Sequence, residues 1–184
     1  VEFMAAILSL ENDPAKIPYF LEECNCMNIR VIPPDINESE KEFTVRNENI
    51  VFGLRGIKNV GDAAIDEILR ERSENGKFTD IFDFASRLDS TAVNKTTFES
   101  LISAGAMDSI EGNRAQKYSA IELAIEFSNN VQKENKGGQM TLFDIFDEDE
   151  IVNHQKPELP ETEDWTMSFK LEQEKKTLGY YISG

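Results

Sequence analysis

Lys58, Asn59, Val60, Gly61 and Asp62 stand together in the stretch GLRGIKNVGDAAIDEILRER at positions 53–72. Their types suit one kind of chemistry, holding a phosphate without reacting with it. A tight turn leading into a helix points backbone N–H groups outward, and the helix start adds a positive partial charge. Gly61 has no Cβ, so it can take a positive φ and admit a sugar-phosphate backbone at close range. Lys58 supplies a mobile positive charge beside that phosphate. Asn59 stands where many such turns carry their first glycine, and Asn tolerates the left-handed region better than most residues. Asp62 is placed for the helix N-terminus, and Gly56 belongs to the same candidate set. Leu54, Ile57 and Val60 before the turn, with Ala63, Ala64, Ile65, Ile68 and Leu69 after it, complete the apolar pattern of a helix-hairpin-helix. The same pattern also fits a helix corner with no ligand.

The other chemistry-bearing residues form no comparable constellation. Cys24 and Cys26 are one residue apart, which suits neither a zinc site nor a dithiol redox pair, and they read as reduced thiols of a cytoplasmic protein. Asp147, Glu148, Asp149 and Glu150 are metal-ligand types, but a mobile acidic run does not hold carboxylates in fixed geometry. His154, the single histidine, sits in a polar stretch and reads as solvated. No catalytic residue and no metal ligand is therefore assigned.

A net charge of −16 argues against gripping nucleic acid or an anionic membrane by bulk electrostatics. Acidic and basic residues nearly balance between positions 50 and 117, so binding through main-chain dipoles remains open there. No apolar run approaches the roughly 20 residues that span a bilayer, and residues 1–10 lack the pattern of a signal peptide. The first residue is not Met and the last follows the apolar run LGYYIS, so both ends read as cut from something larger.

The elements that must position these residues are mostly helices. Residues 1–10 and 14–26 carry apolar stripes at helical spacing: Phe3, Met4, Ile7 and Leu8, then Ile17, Phe20, Leu21 and Cys24. The second helix is expected to start at Asn12 and Asp13, with Pro14 in its first turn. IRVIPPDIN reads as a short extended piece ended by Pro33 and Pro34. EFTVR and IVFGL read as a hairpin around a three-residue NEN turn. Next comes FTDIFDFASRL with Thr79 as cap, then TTFESLISAGAMDSI stopped by Gly105, together a degenerate second hairpin in which Lys95 could reach a phosphate. Asn113 caps one long helix through RAQKYSAIELAIEFSNNVQ, with Tyr118, Ile121 and Ile125 on its apolar face. Trp165 and a helix through SFKLEQEKKTLGYY are expected to pack, with Tyr180 and Tyr181 in the core or on a cut surface.

Between the Gly137-Gly138 hinge and the acidic run lie Met140, Leu142, Phe143, Ile145 and Phe146. Such a cluster either docks into a partner's pocket or folds back on its own domain. Positions 144–164 hold much of the surplus acid and read as a mobile linker.

Taken in order, the blocks EFMAAILS, IRVIPPDINES, FGLRGIKNVGDAAIDEILRER, FTDIFDFASRLD, VNKTTFESLISAGAMDS, NRAQ, GQMTLF and EKKTLGYYISG span nearly the whole chain. They resemble the catalytic alpha subunits of bacterial DNA polymerase III, C-family replicases of the DnaE type. The resemblance implies a mainly α piece of a multi-domain protein. Residues 1–46 would end the fingers, and 47–135 would form a tandem helix-hairpin-helix, preceded by a small β hairpin, that holds primer-template duplex. Residues 136–164 would carry a clamp-binding motif and acidic linker, and 165–184 would lead toward an OB domain. Gln139, Met140, Thr141, Leu142 and Phe143 are similar to the family's sliding-clamp pentapeptide. Partners implied are duplex DNA, the clamp, and the rest of the polymerase and replisome, with no membrane. The family's Mg²⁺-binding aspartates lie upstream in the palm, so no cofactor is expected in this piece. Two rivals remain. A scaffold would use both hairpins only to pack helices, and a repair enzyme would need a pocket acid and aromatic such as Asp80 and Phe78.

Overall fold

Apolar residues at helical spacing build α1 (Glu2–Leu10) and α2 (Ile17–Cys26), which bury Met4, Ala5 and Leu8 and Ile17, Leu21 and Cys24. The computed structural model describes residues 1–11, 16–136 and 156–182. The expected helix start at Asn12 to Pro14, the clamp-type motif at 139–143, Ile145, Phe146, the acidic run 147–150 and His154 lie outside the described residues. Within them α2 begins at Ile17, and Pro18 takes the first-turn place where a missing N–H costs nothing. Phe3 departs from the expected stripe. It is 75% exposed, because only one flank of α1 meets α2 and the sheet.

The extended piece is β1 (Val31–Ile32), followed by β2 (Thr44–Arg46) and β3 (Asn49–Val51). The hairpin turn has two residues rather than three. Asn47 and Glu48 both take positive φ, 49° and 60°, and Arg46 pairs directly with Asn49. Two left-handed residues give the twist that matches paired strands, which the sequence NEN does not announce. β1 joins β3 in parallel, so the hairpin becomes a three-stranded sheet of order β1-β3-β2. Phe52, just past β3, stacks on Phe43 at 4.7 Å and hands the chain to a 3₁₀ turn at Leu54–Gly56.

The helical part follows as α3 (Asp62–Asn75), α4 (Ile81–Arg87), α5 (Lys95–Ser103), α6 (Arg114–Ser119), α7 (Ile121–Lys136) and α8 (Met167–Leu178). Phe78, Phe84 and Phe98 form an edge-to-face chain at 4.9 and 5.3 Å, and α4 packs along α7. One continuous apolar core runs from Met4 through Ala124 and takes in Leu178. The molecule is thus mainly α with a small sheet, and among the described residues no helix is long and apolar enough to cross a membrane.

The cap of α4 is Asp80, not Thr79. Its Oδ1 accepts the Phe82 and Asp83 amides at 2.9 and 3.0 Å, while Thr79 Oγ1 donates to Asp80 Oδ2. The expected long helix breaks at Ala120 into α6 and α7. There the Ala120 amide is shared between the carbonyls of Gln116 and Lys117, a tightened turn that ends α6. Tyr118 accordingly leaves the apolar face. It is 39% exposed and stacks on Trp165 at 5.5 Å, while Ile121 and Ala124 take the core positions. Asn113 does cap α6, in a reciprocal box with Gln116.

Residues 156–164 are not a mobile linker. Their extended backbone lies along α6, where Gln116 Nε2 donates to Pro160 O at 3.2 Å and Asn113 Nδ2 to Thr162 O at 3.1 Å. Lys156 Nζ donates to Asp80 Oδ2 at 2.6 Å. Composition suggested disorder here, but α6 offers side-chain amides that satisfy the extended carbonyls. Burial works against ionising Asp80, yet the Lys156 ammonium, the Asp83 amide and the Thr79 hydroxyl together outweigh it and hold the carboxyl below its ordinary range. Asp80→Ala is expected to cost about 1–3 kcal/mol at pH 7, through the lost cap and the lost Lys156 bond. Because the folded-state pKa is depressed, that contribution is present above the unfolded value near ~3.9 and drains away as pH falls through the lowered folded value. Urea denaturation should therefore show parent and variant converging as the buffer is taken below the ordinary carboxyl range.

Candidate nucleic-acid interface

The first turn is built from the core outward. Ile57 and Val60 are buried and anchor its two sides, and the 3₁₀ turn is held by the Leu54 and Arg55 amides donating to Glu40 O and Lys41 O at 3.0 Å. Gly56 serves packing rather than the surface, since a Cβ there would lie 2.6 Å from the Phe52 ring. Asn59 takes the left-handed conformation at φ 63°, and its side-chain nitrogen lies 3.5 Å from Ser100 Oγ of α5. Gly61 then enters α3 as an extended N-cap at φ −78°, ψ 159°.

This corrects the role expected of Gly61. The positive φ falls on Asn59, so Gly61 is not needed for its backbone freedom. Its lack of a side chain matters in another way, because a Cβ at Gly61 would meet nothing within 4 Å and would project into open space. The expected set of binding amides also changes. The Lys58 N–H donates to Thr177 O of α8 at 2.9 Å and the Val60 N–H to Ile57 O at 3.3 Å, so both are occupied inside the chain. Among the described residues, the amides without a partner on exposed positions here are those of Asn59, Gly61, Asp62 and Ala63. Three of them belong to Gly61 and the start of α3, where intrahelical acceptors do not exist.

Charges around the turn cancel. Asp62 lies 3.5 Å from Lys41 Nζ and 3.7 Å from Arg55 Nε, while Lys41 also meets Asp66 at 2.8 Å and Arg55 meets Glu42 at 2.9 Å. The Asp66 carboxylate, with Asp62, holds the Lys41 ammonium above its ordinary pKa against some desolvation. With the exposed Lys58 side chain, the turn counts three cations and three carboxylates. Lys41 and Arg55 were not picked out from the sequence. Lys41 is 21 positions before Asp62 with no periodic relation to it, whereas Arg55, inside the same stretch, could have been flagged as the arginine flanking the turn.

Lys95 starts α5 and pairs with Glu122 of α7 at 2.6 Å, which raises its pKa. It lies five residues before Ser100, about 7.5 Å along the helix axis. The second turn, between α5 and α6, differs from the first. Gly105 stops α5 at φ 78° as expected, and the Lys117 ammonium is buried among the carbonyls of Met107, Ile110 and Gly112 at 2.7, 3.2 and 2.7 Å. That burial pushes the lysine pKa below its ordinary value. The start of α6 is covered by residues 156–164, with Leu159 seated where a Cβ on Gly112 would go. Asp80 and Phe78, which a repair-enzyme pocket would need, are committed to the α4 cap and to the core.

Residues 28–117 match a family described as a helix-hairpin-helix motif. Over its full length the chain is similar to proteins named DNA polymerase III subunit alpha, at 37% identity from Vibrio cholerae, 38% from Thermus aquaticus and 40% from Neisseria meningitidis serogroup B. It spans only 14–16% of the length of these curated relatives.

Proposed function

The chain belongs to the DNA polymerase III alpha-subunit family, matching one segment of it that carries a helix-hairpin-helix motif, and from that premise we propose that it works as a holder rather than as a site of chemistry. One hand is the first turn, which grips the sugar-phosphate backbone of primer-template duplex. The other is the pentapeptide Gln139, Met140, Thr141, Leu142 and Phe143, which docks on the sliding clamp and keeps polymerase and DNA together during synthesis. The observation that carries the grip is the row of exposed, unpartnered amides at Asn59, Gly61, Asp62 and Ala63 beside a glycine whose missing side chain leaves open space. Backbone dipoles of this kind bind phosphate without a basic surface, which suits an acidic chain.

Gly61→Val tests the grip. Valine adopts an extended φ without strain, so the fold should hold while its methyl groups stand where the phosphate must approach. Duplex affinity by fluorescence anisotropy should fall about tenfold or more, with the thermal transition lowered by no more than the roughly 1 kcal/mol that valine costs at an N-cap; equal affinity for variant and parent would remove the grip. Because Lys41 and Arg55 at the turn are paired with carboxylates, log affinity should fall with log salt at a slope of only a few times ~0.9. A slope near ten would point to a basic surface elsewhere.

A further inference from the structure

We infer that α8 sets the geometry of the first turn, with the Thr177 carbonyl and the Arg114–Glu174 pair as positioning groups for phosphate binding; this rests on the reading of that turn as a grip. The Lys58 N–H sits one residue before the left-handed Asn59 and donates to Thr177 O at 2.9 Å. Thr177 belongs to the last turn of α8, where carbonyls have no intrahelical donor, so the helix end and the turn satisfy each other. A non-glycine residue at positive φ has to be held there by its surroundings. On one side of Asn59 the buried Val60 does this, and on the other the bond from Lys58 to α8 does it.

α8 is itself placed by a buried charge. Glu174 is fully buried, accepts from Arg114 Nη1 at 2.9 Å and takes the Ile182 amide on its second oxygen at 3.1 Å. Arg114, 5% exposed, is gripped by Asp108 at 2.7–3.1 Å and begins α6. Thr177 follows Glu174 by one turn of helix, and the helix stops immediately after at Gly179, packed on Pro18. A continuous path of bonds therefore runs from Arg114 through Glu174 and Thr177 to Lys58 and ends at the exposed amides. Burying α8 would not by itself require its terminal carbonyl to meet the residue beside Asn59. The arrangement makes docking of α8 a condition for presenting those amides.

Two changes to the whole chain test this, with primer-template duplex as the probe. Replacing the Lys58 residue by the α-hydroxy analogue of lysine turns its amide into an ester, which deletes the donor to Thr177 and weakens the Ile57 carbonyl as acceptor of the Val60 amide. Glu174→Gln keeps the shape and removes the charge that faces Arg114. Both should move the amide resonances of Asn59 and Gly61 while those of Phe84 and Phe98 stay in place. Duplex affinity should fall roughly three- to tenfold, the value of one net hydrogen bond. The salt slope should not change, because no cation at the turn is removed. Unaltered affinity in the ester chain overturns the inference, even where Glu174→Gln fails to fold. If Gly61→Val weakens binding in that same assay, the grip survives and only the coupling falls. If Gly61→Val is also without effect, the grip itself is lost and the coupling goes with it.

Discussion

Arg114→Ala is expected to remove about 3–5 kcal/mol of stability, a large share of the ~5–15 kcal/mol that holds a domain folded. The reason is the partner left behind. Glu174 is fully buried and meets Arg114 at 2.9 Å, so truncating the arginine takes the Arg114 charge away from a buried carboxylate. Asp108 is half exposed and can be re-solvated, so its loss contributes little. Burial disfavours the charged guanidinium, but Asp108 and Glu174 outweigh it and push the Arg114 pKa up, so the guanidinium stays charged. The test is a double change. If the cost is the lost Arg114 charge beside a buried carboxylate, Arg114→Met with Glu174→Leu should recover most of the single-variant loss, because a packed apolar pair can match a buried ion pair. Urea denaturation of parent, single and double variants decides it. A double variant as unstable as Arg114→Ala would mean that lost packing, not charge, dominates.

The buried Arg114–Glu174 pair was not legible from the sequence, and the reason is physical. Residues 60 positions apart carry no periodic relation, and both types are ordinarily surface residues. What local pattern could carry, it carried well. The stripe Ile65, Ile68 and the cluster Ile81, Phe82, Phe84 and Leu88 are buried as their spacing requires, and Gly105 stops its helix where expected. The misreadings share a cause. The left-handed tolerance expected of Asn59 is used at φ 63°, whereas the positive φ that glycine allows at Gly61 is not, and two non-glycine residues take positive φ again at the β2–β3 turn. Residue type constrains such turns loosely, and the tertiary contacts on either side settle them. Composition misled in the same way at 156–164, where acidic and proline-rich sequence lies ordered on α6 because Asn113 and Gln116 reach its carbonyls.

The site's electrostatics follow from the same tertiary placement. Lys41 comes to Asp62 and Asp66 only because the segment before β2 folds beneath the first turn, as the bonds from Leu54 and Arg55 to Glu40 and Lys41 record. The carboxylates lower the attraction of the turn for any anion, so a phosphate would be selected by direction and close approach more than by charge. A grip of this kind is weak alone and gains from a second, tethered contact.

The proposed clamp contact carries the larger expected binding effect. Changing Leu142 and Phe143 together to alanine should abolish measurable heat of binding to purified sliding clamp in titration calorimetry. Each side chain buried in a partner's pocket contributes about 1.5–3 kcal/mol, so losing both weakens association by roughly a hundredfold to ten-thousandfold. The same substitution separates docking from the alternative in which the cluster folds back on its own domain. The described core is assembled from residues between Met4 and Ala124, with Leu178. The described chain leaves this segment at Lys136, the end of α7, and returns at Lys156, held by Asp80. If Leu142 and Phe143 serve the clamp, Tm and circular dichroism should match the parent. If they pack on the chain itself, their loss should lower Tm by roughly 2–4 °C for each kcal/mol removed. Lost clamp binding at unchanged Tm supports docking; retained binding overturns it, and a Tm lowered by several degrees assigns the two side chains to the interior.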